Sequence, residues 1–199
     1  MIPQYTTLRQ FSRELLSLKK DLIRHKAQRH ALSYAHGISP FVSGLKDEQI
    51  AFIENTISSV ENEMLITSKK DIEFDKRVTN LETIPGLRRI TILIVLCETN
   101  GFELFSNMRQ VASYAGLDVT EKQSGQFNGK TKISKKGNSR IRQCLYMPSL
   151  SACRCNIPIK NLHSRIVDRN PTVKKKGIIA GMRKLLCLCF VLFCFVEKK

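Results

Sequence analysis

Acidic residues are the scarce component of this 199-residue, 22.7 kDa chain: 17 Asp and Glu stand against 33 Lys and Arg, a formal net charge of +16. A free-standing metabolic enzyme rarely carries such an excess. A densely negative partner follows from it, nucleic acid ahead of a membrane surface. No basic start, apolar stretch and small-residue cleavage site follow Met1, so no secretory leader is expected. The longest apolar run, Leu185 to Val196, falls short of the ~20 residues of a spanning helix. Extending it back to Gly177 takes in Arg183 and Lys184, at about 2.5–3.5 kcal/mol each near a bilayer centre. The expectation is a soluble, cytoplasmic chain with no membrane partner. Its 7 cysteines are an odd number and read as reduced thiols. With 42% hydrophobic and 25% charged residues the chain is too apolar for general disorder, and its length allows one domain or two small ones.

The positive charge is unevenly spread. Residues 1–83 hold 12 basic and 11 acidic side chains, whereas residues 84–199 hold 21 and 6. Such different electrostatics indicate different jobs, so the chain divides into 1–83 and 84–199. In the first part Leu8, Phe11, Leu15, Leu18 and Leu22 step alternately by three and four, a heptad seam. Gly37 to Gly44 interrupts it, and Ile50, Ile53, Ile57, Val60 and Met64 repeat the pattern. Two such seams predict an antiparallel helical hairpin or a dimerising coiled coil, with two core helices of a larger bundle as the plainer alternative. The acids here alternate with lysines as a solvated surface does. His25, His30 and His36 are too loosely spaced for a ligand set, so no metal site is expected.

The second part opens on Ile84-Pro85-Gly86-Leu87-Arg88-Arg89, leading into the apolar run Ile90 to Leu96. A Pro-Gly turn between hydrophobic residues before a helix resembles the hairpin of a helix-hairpin-helix, whose turn and free N–H groups meet a phosphate. Arg88 stands where that motif usually has a second glycine, adding charge but blocking the closest backbone approach. A plain helix-start turn is the alternative. Further on, Lys122, Lys130, Lys132, Lys135, Lys136, Arg140 and Arg142 lie in a stretch without one acid, interleaved with Ser124-Gly125, Gly129 and Gly137-Asn138. Glycines let a backbone approach a ligand and the cations neutralise phosphates, which favours a polyanion partner over an idle basic loop.

The segment Phe105-Ser-Asn-Met-Arg-Gln-Val-Ala-Ser-Tyr-Ala-Gly-Leu117, followed by Gln123-Ser124-Gly125, by Gly129 to Asn138 and by Arg142, resembles the C-terminal domain of the insertion-sequence 110 family of transposases, the 116/110/902 group. Ile84 to Leu87 is similar to that domain's opening, and Met182-Arg183-Lys184-Leu185-Leu186 to its closing helix. The paired-heptad hairpin also has a counterpart in the family. The resemblance implies a protein that recombines DNA under the direction of a structured guide RNA, acting on element ends and a target. It implies that Ser124 is the nucleophile attacking a phosphodiester, giving a covalent protein–DNA intermediate. Read without the family, a Ser-Gly pair is a turn. Family members further carry a RuvC-like domain whose four acidic residues hold Mg²⁺. The expectation is that the present sequence begins after that domain would end, and the acids of its second part form no evident two-metal arrangement. The expectation is a decayed or split gene product or a shortened chain, inactive alone, with no cofactor of its own and Mg²⁺ only beside the RuvC-like domain.

The expected fold is mainly α: a coiled-coil helical hairpin at 1–83, then a compact helical domain at 84–199 with a helix-hairpin-helix-like start and a basic serine-bearing loop. Expected nucleic-acid contacts are Pro85, Gly86, Arg88, Arg89, Lys122, Gly125, Lys130, Lys132, Lys135, Lys136, Gly137, Asn138, Arg140, Arg142, Arg183 and Lys184, with a homo-oligomer through the hairpin. Cys153-Arg154-Cys155 and Cys187-Leu188-Cys189 are spaced by one residue, which on a helix turns the thiols apart and favours buried apolar cysteines over zinc. Leu185 to Val196 is apolar all round, as in a central core helix or an exposed patch. Lys174-Lys175-Lys176 is left between phosphate contact and solvated loop. A binding module without chemistry, associating with an intact transposase, is the alternative function. A basic helical protein of the translation apparatus is a third.

Overall fold

Two long helices, α1 (Pro3–Leu32) and α2 (Pro40–Lys69), open the computed structural model, which describes residues 3–196 apart from 121–122, 125–126 and 129–130. They run antiparallel, as the ion pairs Lys19–Glu61, Lys26–Glu54 and Arg29–Asp47, each at 2.7 Å, require. The seam residues lie between them. Leu8, Leu15, Ile53 and Met64 are buried, and Phe11, Ile57 and Val60 are half-buried against the core. Toward the outer ends Ile23 of α1 and Phe41 and Phe52 of α2 are exposed, as is Tyr34 in the connection between the two helices.

Helix α3 (Ile72–Glu82) starts at Asp71, whose side chain accepts hydrogen bonds from the N–H groups of Glu73 and Phe74. Glu73 and Asp75 in its first turn favour the positive helix end. Helix α4 (Arg89–Thr99) is apolar nearly all round, and every residue from Ile92 to Thr99 is buried, so it forms the axis of the molecule. It stops at Asn100 and Gly101, both left-handed. After the short α5 (Met108–Tyr114) and four two-residue strands come α6 (Ser139–Cys155), α7 (Ile157–Arg169) and α8 (Lys175–Val196). The fold is mainly α, as expected.

One hydrophobic cluster joins the base of the hairpin to everything after it. Tyr5, Leu8 and Leu15 of α1 and Met64 of α2 share it with Leu93 and Leu96 of α4, Leu145 of α6 and Leu185 and Phe193 of α8. Phe102 stands edge-on to Phe190 at 5.5 Å and to Phe193 at 5.8 Å. The hairpin is therefore rooted in the helical domain rather than tethered to it.

The apolar run at 185–196 lies within the longer helix α8. Within Lys175–Cys194 an 18-residue window has a mean hydropathy of 2.0 and, by length and composition alone, suffices to cross a membrane despite Arg183 and Lys184. The helix packs against α3, α5, α6 and α7, with Leu185, Leu186 and Cys189 fully buried, while 44% of that window is buried and Leu192 lies open.

The cysteines separate by depth. Cys97 and Cys189 are fully buried and Cys155 is exposed. Burial pushes the thiols of Cys97 and Cys189 up to about 12 from an ordinary 9.0. Brief alkylation of the native protein is expected to label Cys155 and spare Cys97 and Cys189, as mapped by mass spectrometry. Native labelling of Cys97 at the rate of Cys155 would contradict this. Because the folded values lie above the unfolded one, these thiols contribute stability that is complete below pH 9 and is lost as pH rises toward 12.

Candidate nucleic-acid interface

Part of the basic stretch pairs as short antiparallel strands that form a narrow arm, Lys135 and Lys136 follow it without regular structure, and Arg140 and Arg142 lie on α6. Strand β1 (Val119–Thr120) pairs with β4 (Lys132–Ile133), and β2 (Gln123–Ser124) pairs with β3 (Phe127–Asn128). Thr120 lies opposite Lys132, and Ser124 lies opposite Phe127 as the last paired residue before 125–126. Of Ser124 only this backbone position is described. Lys122, Gly125 and Lys130 lie outside the described residues.

The root of the arm is bound tightly to the helices. Ser134 Oγ donates to Asp118 Oδ1 at 2.7 Å and the Ser134 N–H to the Asp118 carbonyl at 2.9 Å. The chain then passes the end of α5 so closely that a Cβ on Gly137 would stand 2.4 Å from the Tyr114 carbonyl oxygen. Gly137 is thus a packing glycine, and the Asn138 N–H donates to that same carbonyl at 2.7 Å. Arg142 spans the crossing, its Nη1 donating to the carbonyls of Ala115 and Gly137 at 2.8 and 3.2 Å.

Asn138 has two tasks. Its Oδ1 caps α6 by accepting from the N–H groups of Arg140 and Ile141, and its Nδ2 donates to Glu98 Oε2 at 2.7 Å. Glu98 ends the apolar α4, and its side chain is 2% exposed. Arg13 of α1 reaches Glu98 Oε1 with Nε at 3.2 Å, and Arg140 Nε lies 4.0 Å from the same oxygen. These groups, with Tyr114, Lys136, Gly137 and Ser139, line an open cleft of about 510 Å³. Composition alone did not point to Glu98, Arg13 or Tyr114. The available signal was one acid closing an otherwise apolar helix, a charge that burial obliges to find cations.

The expected contact residues thus fall into groups. Lys132, Lys135, Lys136, Gly137, Asn138, Arg140 and Arg142 gather along the arm and its root. Pro85, Gly86, Arg88 and Arg89 belong elsewhere, since Gly86 packs on Ala152 near the far end of α6, roughly 20 Å from Asn138 at 1.5 Å per residue. Arg88 is exposed at the start of α4. Arg89 is held inside the molecule between Asp75 and Glu82, with 15% of its side chain exposed. Arg183 is half-buried and Lys184 exposed on α8, whose first turns lie along the second half of α6, where Ser149 Oγ donates to the Ile178 carbonyl at 2.8 Å. Among the described residues no group of three His, Cys, Asp or Glu side chains could hold a metal ion.

Residues 78–164 match the model of the Transposase IS116/IS110/IS902 family. The chain is also similar to the pilin gene-inverting proteins of Moraxella bovis and Moraxella lacunata, 27% identical to each over 173 residues. Those matches cover 86% of this chain and 52% of each relative, so the chain spans about half the length of the curated relatives it matches.

Proposed function

From a chain that belongs, over residues 78–164, to the IS116/IS110/IS902 transposase family, we propose a protein of DNA recombination in which the basic arm meets DNA and Ser124 is the nucleophile. The observation that carries the reading is the coincidence of that match with an arm that holds Ser124 at its last paired position, Lys132 in its return strand, and Lys135 and Lys136 just beyond. The inversion of a pilin gene, named for the two Moraxella relatives, is itself a rearrangement of DNA and supports the same class of reaction.

In the proposed step the Ser124 hydroxyl oxygen forms a bond to a backbone phosphorus as one P–O bond of that phosphodiester breaks. The displaced sugar oxygen leaves with the proton. The phosphoserine-type ester keeps the bond energy, so a second hydroxyl can reverse the step and rejoin strands without an external energy source. Lys132, Lys135 and Lys136, toward the root of the arm, neutralise backbone phosphates that flank the one attacked. Mg²⁺, which the family resemblance implies, would be held by the acidic residues of a RuvC-like domain, since no group of three acidic, His or Cys side chains among the described residues could hold it. A structured guide RNA and a second copy of the chain, docked through the exposed apolar ends of α1 and α2, complete the proposed assembly.

The test supplies a RuvC-like domain of the family in trans, with Mg²⁺ and element-end DNA, and looks for a covalent adduct on a denaturing gel. The expected result is an adduct with the wild-type chain and none with Ser124→Ala. Adduct formation that survives Ser124→Ala would overturn the role of the serine. DNA binding without an adduct from either protein would leave a binding module.

A further inference from the structure

The cleft between α1 and the start of α6 contains three cations and one carboxylate. Arg13, Lys136 and Arg140 surround Glu98, and a single buried charge cannot neutralise them. The local excess is positive, and the two guanidinium side chains are 49% and 45% exposed. Both approach Glu98 through Nε, at 3.2 and 4.0 Å. Guanidinium carries five N–H donors in a planar fork, so the terminal amino groups stay available to a second acceptor. Glu98 itself is doubly secured, by Asn138 Nδ2 on Oε2 and by the Tyr114 hydroxyl on its backbone carbonyl at 3.0 Å. A carboxylate fixed in this way presets the two arginines instead of consuming them.

We propose that this cleft seats one backbone phosphate of duplex DNA, with Arg13 of the hairpin and Arg140 of α6 as its forked ligands and Lys136 at the rim. The proposal rests on the reading that the basic arm meets DNA, and extends it. The hairpin, whose half of the chain is nearly charge-neutral, becomes part of the contact surface, and the DNA path crosses from the arm onto α1. The cleft is continuous in sequence with Lys132 and Lys135, and its volume of about 510 Å³ admits a phosphodiester with its flanking sugars. Planar guanidinium forks match phosphate oxygens in pairs, which lysines at the arm cannot do.

The experiment measures binding of the full chain to a fluorescein-labelled duplex by anisotropy at several salt concentrations. Arg13→Gln is expected to weaken binding about five- to tenfold and to lower the slope of log K against log salt by about 1. Glu98→Gln retains an acceptor for Asn138 and frees both arginines, and is expected to tighten binding about threefold. Lys20→Gln, an exposed change on the same helix, is expected to leave binding unchanged. General damage to the fold would weaken both Arg13→Gln and Glu98→Gln, and that shared direction would overturn the proposal. So would wild-type affinity in Arg13→Gln, which would leave DNA binding by the arm intact. A wild-type chain that binds no duplex would sink the DNA reading itself and the cleft with it. An Arg13 effect confined to a matched RNA duplex would overturn the assignment to DNA.

Discussion

Gly86→Ala is expected to destabilise the fold by about 3 kcal/mol or more, the sum of backbone strain and overpacking. Gly86 has φ +100°, a conformation that side chains oppose. An added Cβ would also stand 2.8 Å from the Ala152 Cβ and 2.9 Å from its Cα and N. Those are mostly backbone atoms of α6 and cannot swing aside. The turn is held from the other side as well, since Asn156 Nδ2 reaches the Pro85 carbonyl at 3.4 Å. Urea denaturation followed by circular dichroism measures the loss. Pairing the change with Ala152→Gly relieves the Cβ contact but neither the backbone contacts nor the φ strain, so the double variant is expected to recover only part of it. A Gly86→Ala protein with an unchanged midpoint would show that the turn does not rest on α6.

The second large effect is expected from Asn138→Asp, a change that ordinary capping rules would pass as neutral. The new carboxylate still accepts from the N–H groups of Arg140 and Ile141. Its other oxygen, however, replaces the Nδ2 that donates to Glu98 Oε2 at 2.7 Å, setting two carboxylates against each other beside a buried site. A loss of about 2–4 kcal/mol at neutral pH follows. Asn138→Ser keeps a cap without the repulsion and is expected to lose only about 1–2 kcal/mol, from the missing bond to Glu98. The sign of the pH dependence separates the two. In Asn138→Asp, one carboxyl of the facing pair holds a proton to higher pH when folded than when unfolded. Its stabilising contribution is therefore present in acid and lost as pH rises, so the deficit of Asn138→Asp narrows on acidification while that of Asn138→Ser does not. Parallel pH profiles for the two variants would mean that the Glu98 contact carries no energy.

What the sequence displayed and what it concealed differ in range. The heptad steps from Leu8 to Leu22 and from Ile50 to Met64 are local signals, and both became long helices with those residues at their shared face. The mainly α fold and the transposase resemblance were legible for the same reason, since periodicity and motif order are properties of neighbouring residues. The arm at 119–133 was not, because it lacks the apolar alternation by which half-buried strands announce themselves. The Pro-Gly turn before Arg89 suggests a phosphate contact, and nothing nearby in the sequence reveals that α3 turns Asp75 and Glu82 toward it. Gly86, Gly137 and Asn138 were picked out as residues that suit a nucleic-acid loop. Their visible work is internal packing and capping, and it depends on partners as remote as Ala152 and Glu98. Glu98 shows the limit most clearly. Its role exists only where the end of α4, the middle of α1 and the start of α6 converge, three points separated by 40 residues or more in the chain.

The rooting of the hairpin has a consequence for its length. The seam residues up to Leu15 on α1 and from Ile57 on α2 belong to the common core or pack against it, and the exposed apolar tip lies beyond them. Removing one heptad from each outer limb, or adding one, would leave every core residue, the Arg13 position and the arm where they are. It would shift the apolar tip about 10 Å along its axis and keep the seam in phase. The distance between the Ser124 arm and whatever the tip grips is thus an adjustable dimension, counted in whole heptads and independent of the fold that anchors it.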